Sequence, residues 1–343
     1  MEYDCGVLRM LSTFEIKVEG ECEMRFGTAA LFAMITNGLL TPAMAFAQQD
    51  YPSRALRVVY PFLAGTGNEA IARVLAQRFA AVWGRPAVID NRAGAGGTVG
   101  AENVLRSTPD GHVLLVSTAS VAVNVTLFPK LPLRELQPIS QVTSNGVVLV
   151  VHPSVPARNL AELLAIGRAR KDGLTFGSSG VGTTSHLAGA WIQQLSKIKL
   201  AHVPYKGQNA ALPALIGGEV ELLFPGTGAI PSLIASKKVK GIAVTTRERS
   251  RVLPDLPTVS SIFPGFEVDN WVGIWAPPNT PPAIVSRIYG EVSRALEHQD
   301  MKPSLQFGDT KGIGSSPAVF SEYYNQEIEK YARIIRAAGI QQE

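Results

Sequence analysis

Cysteine is nearly absent from this chain. Cys5 and Cys22 are the only two among 343 residues, and both fall within the first 25 positions. If that leader is removed, no disulfide, thiolate nucleophile or cysteine metal site is possible. Long apolar runs are also missing. No stretch of about 18 apolar residues occurs, so no segment reads as a membrane-spanning helix. No five like charges stand together, which argues against a nucleic-acid tract. The five histidines (His112, His152, His186, His202 and His298) show no H-E-x-x-H or other ligand spacing, so no metal is expected. There is no G-x-S-x-G, so a hydrolase elbow is not supported, and no Ser/His/Asp set stands out by spacing. No residue-level repeat of fixed period exists, which excludes a solenoid.

What is present begins with an export signal. Met24-Arg25-Phe26 leads into small and apolar residues up to Leu40, and Ala45-Phe46-Ala47 is an A-x-A cleavage site. Residues 24–47 are therefore expected to be a signal peptide and the mature protein periplasmic. Residues 1–23 carry Glu2, Asp4, Glu15, Glu19, Glu21 and Glu23, the reverse of a basic n-region. They are expected to be a mis-assigned extension, with translation starting at Met24. Cleavage after Ala47 removes three basic residues (Arg9, Lys17 and Arg25) along with these six acidic ones. The net charge rises from +4 to +7. A mild, scattered positive field of this kind suits small anionic ligands.

The mature chain alternates strand and helix patterns. Leu56–Phe62 reads as a strand. Asn68–Val82 places Ile71, Val74, Leu75, Phe79 and Val82 on one helical face. Ala87–Asp90, then Thr98–Ser107, then His112–Thr118 continue as strand, helix and strand. Such alternation predicts parallel α/β sheets. Gln137–Pro153 reads as a strand leaving the first domain, and the β-α pattern then restarts with Asn159–Ala169 and Leu174–Phe176. Val268–Ala276, with Trp271 and Trp275, is expected to cross back. Thr280-Pro281 is the expected cap of a helix running to Leu296, and Ser316-Pro317 starts a last helix that Gly339 ends. The expected class is α/β, two-lobed and periplasmic-binding-protein-like. Each lobe has a mainly parallel sheet, and two strands cross between them. Residues 48–150 with 270–343 form lobe 1, and 151–269 lobe 2.

Two glycine-rich turns are the candidate sites. Gly65-Thr66-Gly67-Asn68-Glu69-Ala70 follows a strand and opens a helix, so its backbone N–H groups form a general anion site. It also fits G-x-G-x-x-A, and Asp90 ends the next strand where a ribose-binding acid would sit. An NAD-dependent dehydrogenase is therefore one reading. Export away from the nicotinamide pool, and the lack of a hydride-transfer His or Lys site, weigh against it. Ser178-Ser179-Gly180-Val181-Gly182-Thr183 repeats the device, with His186 just inside the following helix. Two such loops, one per lobe, can hold a carboxylate between them without a side-chain cation. Ordinary βα turns would look the same.

The chain resembles the Bug family, the periplasmic receptors of tripartite tricarboxylate transporters. Tyr51-Pro52-Ser53-Arg54, Pro61-Phe62 with Gly65–Glu69, and Asp90-Asn91-Arg92-Ala93-Gly94-Ala95-Gly96-Gly97 carry the likeness. So do Thr108-Pro109-Asp110-Gly111-His112, Ser178–Thr183 with His186-Leu187-Ala188-Gly189, and Val203-Pro204-Tyr205-Lys206-Gly207. Leu253–Val259 and Trp271-Val272-Gly273 with Ala276-Pro277 complete it. The resemblance implies two lobes that close on a small carboxylate, membrane permease subunits as partners, no cofactor, no metal and no enzymatic activity. A sensor kinase is the alternative partner, and a monomer is expected. The implied ligand-binding residues are Phe62, Gly65, Thr66, Gly67, Asn68, Glu69, Thr118, Ser178, Ser179, Val181, Gly182, Thr183, His186 and Tyr205. The chain departs from the family pattern at Asn68 (usually Ser or Thr), Glu69 (usually Asp), Leu63-Ala64 (usually Pro-Pro), Thr66 (usually Gly) and Pro225 (often Asp).

Overall fold

A computed structural model describes residues 51–341. The expected export signal and upstream extension lie outside the described residues. Two sheets organise the chain. The first has the order β11 (Lys311–Gly312), β4 (Gln137–Ser144), β10 (Val272–Ala276), β3 (Val113–Thr118), β1 (Leu56–Tyr60), β2 (Ala87–Asn91), and the second β7 (Leu200–Pro204), β6 (Leu174–Ser178), β8 (Leu222–Leu223), β5 (Val148–Val151), β9 (Lys240–Val244).

The first sheet starts with three parallel strands: β1 (Leu56–Tyr60), β2 (Ala87–Asn91) and β3 (Val113–Thr118). β1 is flanked on both sides of the sheet. Leu56, Val58 and Tyr60 enter one core with helix α1 (Gly67–Trp83), while Val59 enters the other with α2 (Thr98–Leu105). The period-2 alternation of a strand forces this split, and apolar residues fall on both faces, with Arg57 the one charged residue of the run. Helix α1 buries Ile71, Leu75 and Phe79. Each such side chain contributes about 1.5–3 kcal/mol when removed from water. Val82, expected on the same face, is exposed instead. Gly84 ends the helix at φ 64°, donating its N–H to the carbonyl of Ala80.

The chain then forms α3 (Ser120–Leu127) and β4 (Gln137–Ser144), crosses to β5 (Val148–Val151), and builds the second sheet. That sheet also alternates. Val147, Leu149 and Val151 face a core with α4 (Leu160–Ala169), whereas Val148 and Val150 face one with α6 (Gln208–Gly217). β6 (Leu174–Ser178) pairs in parallel with β7 (Leu200–Pro204) and β8 (Leu222–Leu223). β5 pairs antiparallel with β8 and with β9 (Lys240–Val244). Helices α5 (Thr184–Ser196) and α7 (Ile230–Ala235) complete this lobe.

The return runs into β10 (Val272–Ala276), which inserts antiparallel between β3 and β4. Helices α8 (Pro282–Glu297), α9 (Lys302–Gln306) and α10 (Pro317–Ala338), and the short β11 (Lys311–Gly312), follow. The expected two-lobed α/β class is what the chain adopts. Most strands of each sheet run the same way, as expected, and only β10 and β11 in the first and β5 in the second run against them. Thr280 does not cap α8. Its hydroxyl donates to the carbonyl of Pro277, and Pro281 and Pro282 begin the helix. Trp271 and Trp275 are core residues with 0% exposure, and the Trp271 indole donates to the buried Glu327 carboxylate.

The two crossings are bonded to each other. Asp269 accepts from the Ser144 hydroxyl and, at 3.2 Å, from the amide of Asn145. The amide of Asn270 donates to the Asn145 carbonyl at 3.1 Å. Burial pushes the Asp269 carboxyl up to about 6.

Candidate functional site

The first glycine loop is built around a helix cap. The Thr66 hydroxyl accepts from the amide of Glu69 at 3.2 Å and pairs with the Tyr60 hydroxyl at 2.8 Å. The Glu69 carboxylate reaches back to the amide of Gly65 at 2.5 Å and is held by Arg73 at 2.6 Å. This is a near capping box, T-x-x-E at a helix start. It spends Thr66 and Glu69 on building the loop and occupies the Gly65 N–H. The amides of Gly67 and Asn68, the first two of α1, have no partner among the described residues. They are therefore the donors this loop can offer, at the positive end of a 17-residue helix.

The second loop is tied down in the same way. Ser178 is fully buried, and its hydroxyl pairs with His202 Nε2 at 2.6 Å. The amide of Ser179 donates to the Ser185 hydroxyl at 2.9 Å, and the Thr183 hydroxyl to the Gly180 carbonyl at 2.7 Å. His186 Nδ1 accepts from the amide of Gly182 at 3.4 Å, and its ring stacks on His202 with centroids 4.0 Å apart. Burial and the neighbouring His202 push His186 down to about 3, and burial pushes His202 down to about 4. Both rings are neutral at pH 7, so His186 brings no positive charge to an anion. The amides of Val181, Thr184 and Ser185 have no partner among the described residues. The last two sit at the N-terminus of α5.

Thr118 is buried at the carboxyl end of β3, with its hydroxyl donated to Ser120 at 3.1 Å. Phe62 packs edge-on against Tyr60 and over Gly97. Tyr205 packs beside Gly177 and Gly180, and its hydroxyl donates to Glu219 at 3.3 Å. The side-chain hydroxyls of the expected set mostly hold the loops in shape.

The structure brings the two loops to the same gap. A Cβ on Gly96 would lie 2.8 Å from the carbonyl oxygen of Val181 in the other lobe. A Cβ on Gly182, which has φ +75°, would lie 2.7 Å from Asn124 Oδ1 and 3.1 Å from Leu127. Asn124 projects from α3 and donates to the Gly96 carbonyl at 2.8 Å, while its Oδ1 is buried without a partner among the described residues. Asn209, at the start of α6, lies 3.9 Å from a Cβ placed on Gly65. The α6 start is thus a third helix N-terminus at the gap, with the Gln208 and Asn209 amides unpaired among the described residues. Asn124, Gln208 and Asn209 were not anticipated from the sequence. The lone Asn in the apolar run 119–127 was the one available hint.

Asp90, the ribose-binding candidate, is engaged by Arg57 at 3.1 Å and Arg92 at 2.7 Å, both inside the same lobe. Both ion pairs fall on Oδ2 and tie Asp90 to β1 and to the turn that follows β2.

Two α/β lobes joined by paired crossings, with glycine-rich helix starts meeting between them, define a solute-binding receptor of the periplasmic-binding-protein type. A family model described as tripartite tricarboxylate transporter family receptor matches residues 71–340, and the chain belongs to that family. Three solved structures are similar to it. The periplasmic binding protein BugD is 29% identical with a TM-score of 0.77, covering 85% of this chain and 100% of that one. MatC from Rhodopseudomonas palustris, with bound malate, is 30% identical with a TM-score of 0.76, over 83% and 100%. A second R. palustris protein, with adipate, is 28% identical with a TM-score of 0.77, over 85% and 99%.

Proposed function

We propose that this receptor captures a small dicarboxylate in the gap between its lobes and delivers it to membrane permease subunits, without chemical turnover. The carrying observation is the set of unpaired backbone amides at three helix starts: Gly67 and Asn68, Thr184 and Ser185, and Gln208 and Asn209. Each set adds N–H donors to the positive end of a helix, which suits a carboxylate. They come from loops belonging to both sheets, so a diacid would bridge the lobes. MatC with malate and the adipate-bound protein support a dicarboxylate.

In this reading residues 48–150 with 270–343 form one lobe and 151–269 the other. They hinge about Ser144–Val148 and Val268–Val272, where the crossings are bonded. Residues 24–47 direct export to the periplasm. The donors are mainly main-chain amides. Phe62, Val181 and Tyr205 shape the walls, and Thr66, Glu69, Ser178, Ser179, Thr183, His186 and Thr118 preorganise them. Calorimetry of the mature protein against four- to six-carbon mono- and dicarboxylates, amino acids and NAD tests this. Saturable binding of a dicarboxylate that is recovered unchanged is the expected result. Binding of NAD in preference, or turnover of the ligand, would overturn it.

A further inference from the structure

After α9 the chain makes an excursion that neither of the two crossings accounts for. Residues 307–312 leave the first lobe, lie across the second, and return as β11 on the edge of β4. The Asp309 carboxylate anchors the excursion. It accepts from the Ser250 hydroxyl at 2.5 Å and from the amides of Arg251 at 2.8 Å and Val252 at 3.3 Å. The amide of Asp309 donates to the Thr227 hydroxyl at 2.9 Å, and Arg251 donates to the Gly308 carbonyl at 2.9 Å. Gly308 has φ +66°, and a Cβ there would lie 2.6 Å from Thr227 Oγ1. Any other residue would push this strap off the second lobe.

The strap delivers one aromatic ring. Phe307 lies 3.6 Å from the position of a Cβ on Gly67, and a Cβ on Gly228 would collide with the same ring. Gly67 opens α1 after β1 and carries one of the unpaired amides. Gly228 lies after β8, at the turn into α7. Both turns stand at the carboxyl ends of strands, where sheets of this kind bind ligands. The ring therefore packs closely on Gly228 of the second lobe and faces Gly67 of the first across a space that a methyl group would fill, and it is 49% exposed. A large apolar side chain seated on one lobe, turned toward an unpaired amide of the other and half-exposed between them, is placed to contact a ligand in the gap.

We infer that Phe307 is a specificity-determining wall of the ligand site, setting the length of diacid that fits, and that Asp309 positions it. This rests on the reading of the gap as a dicarboxylate site. A methylene gained or lost against such a wall changes affinity by roughly 10- to 200-fold. Because the ring faces Gly67 and its unpaired amide, its size sets how far the ligand chain can extend from that donor.

The test is calorimetry of the mature protein and of Phe307→Ala, Phe307→Leu and Phe307→Trp with succinate, glutarate, adipate and pimelate. Thermal melts would confirm folding. The preferred chain is expected to lengthen in the order Trp, Phe, Leu, Ala, with the long-to-short affinity ratio moving about tenfold per step that admits a methylene. Asp309→Ala is expected to flatten the preference without reversing it. An unchanged ratio across the folded variants, with the natural protein binding diacids, would overturn this inference alone. Failure of the natural protein to bind any of the four would overturn the dicarboxylate reading and this inference with it.

Discussion

Gly182→Ala separates closure of the gap from stability of the fold. Gly182 sits at φ +75°, where an L-residue costs about 1–2 kcal/mol in any state of the protein. That part lowers the melting temperature and leaves the ligand equilibrium alone. The second part acts only when the lobes are together. The added Cβ would stand 2.7 Å from Asn124 Oδ1 and 3.1 Å from Leu127 Cδ1, both in the other lobe. Overpacking of this kind costs about 1–3 kcal/mol. Charged to the closed state alone, it weakens the apparent affinity roughly 5- to 150-fold, at 1.4 kcal/mol per factor of ten. Asn124→Ala removes the clashing oxygen, at the cost of the amide's bond to the Gly96 carbonyl, and is expected to relieve the clash. Adding Gly182→Ala should then cost much less binding in the Asn124→Ala background than in the natural protein. Calorimetry over this cycle, with melts of all four proteins, reads both parts. Wild-type affinity in Gly182→Ala, or equal losses with Asn and with Ala at 124, would refute contact across the gap as the cause.

Glu69→Ala would free the Gly65 amide and unpair Arg73, and is expected to cost about 1–3 kcal/mol in urea unfolding; an unchanged midpoint would show that the cap carries no stability. Asp269 has its folded pKa raised to about 6, so the stability linked to its protonation is full below the unfolded value near 4 and lost as pH rises through about 6. Asp269→Asn should therefore gain on the natural protein between pH 4 and 7 in a melting-temperature scan, and parallel curves would contradict the assignment. His186 and His202 have folded pKa values lowered to about 3 and about 4, so their stability is full above about 6.5 and lost as pH falls toward 4. His202→Gln should lose its share of that acid sensitivity in urea titrations at pH 7 and pH 5, and an unchanged pH 5 deficit would place the sensitivity elsewhere.

The fold was legible wherever a single element declares itself. The runs at Leu56–Tyr60 and Val147–Val151 put apolar residues on both faces, and the run after Gly65 is an amphipathic helix. The mixed sheet order was not legible, because a strand's pattern does not reveal the direction of its neighbour. The loops of the site were visible through their glycines, but the roles of their hydroxyls were not. Thr66-x-x-Glu69 is a capping pattern, and that local duty took both side chains. Ser120–Leu127 hid a helix among Val121, Val123, Val125 and Thr126, β-branched residues that read equally well as strand. Phe307 gave no local signal at all, since it meets Gly67 only after the chain has built the second lobe and come back.

The order of the strands has a practical consequence. The second sheet is made wholly from residues 148–244, while the first draws strands from both sides of that segment. The first and last described elements, β1 and α10, therefore both pack on the first sheet. A fluorophore pair or protein tag fused at the two ends of this region would sit on one body and stay silent as the gap opens and shuts. An optical sensor needs one label in the inserted segment, for which the exposed Ser236–Lys238 turn after α7 is suited. The other label can then take either end.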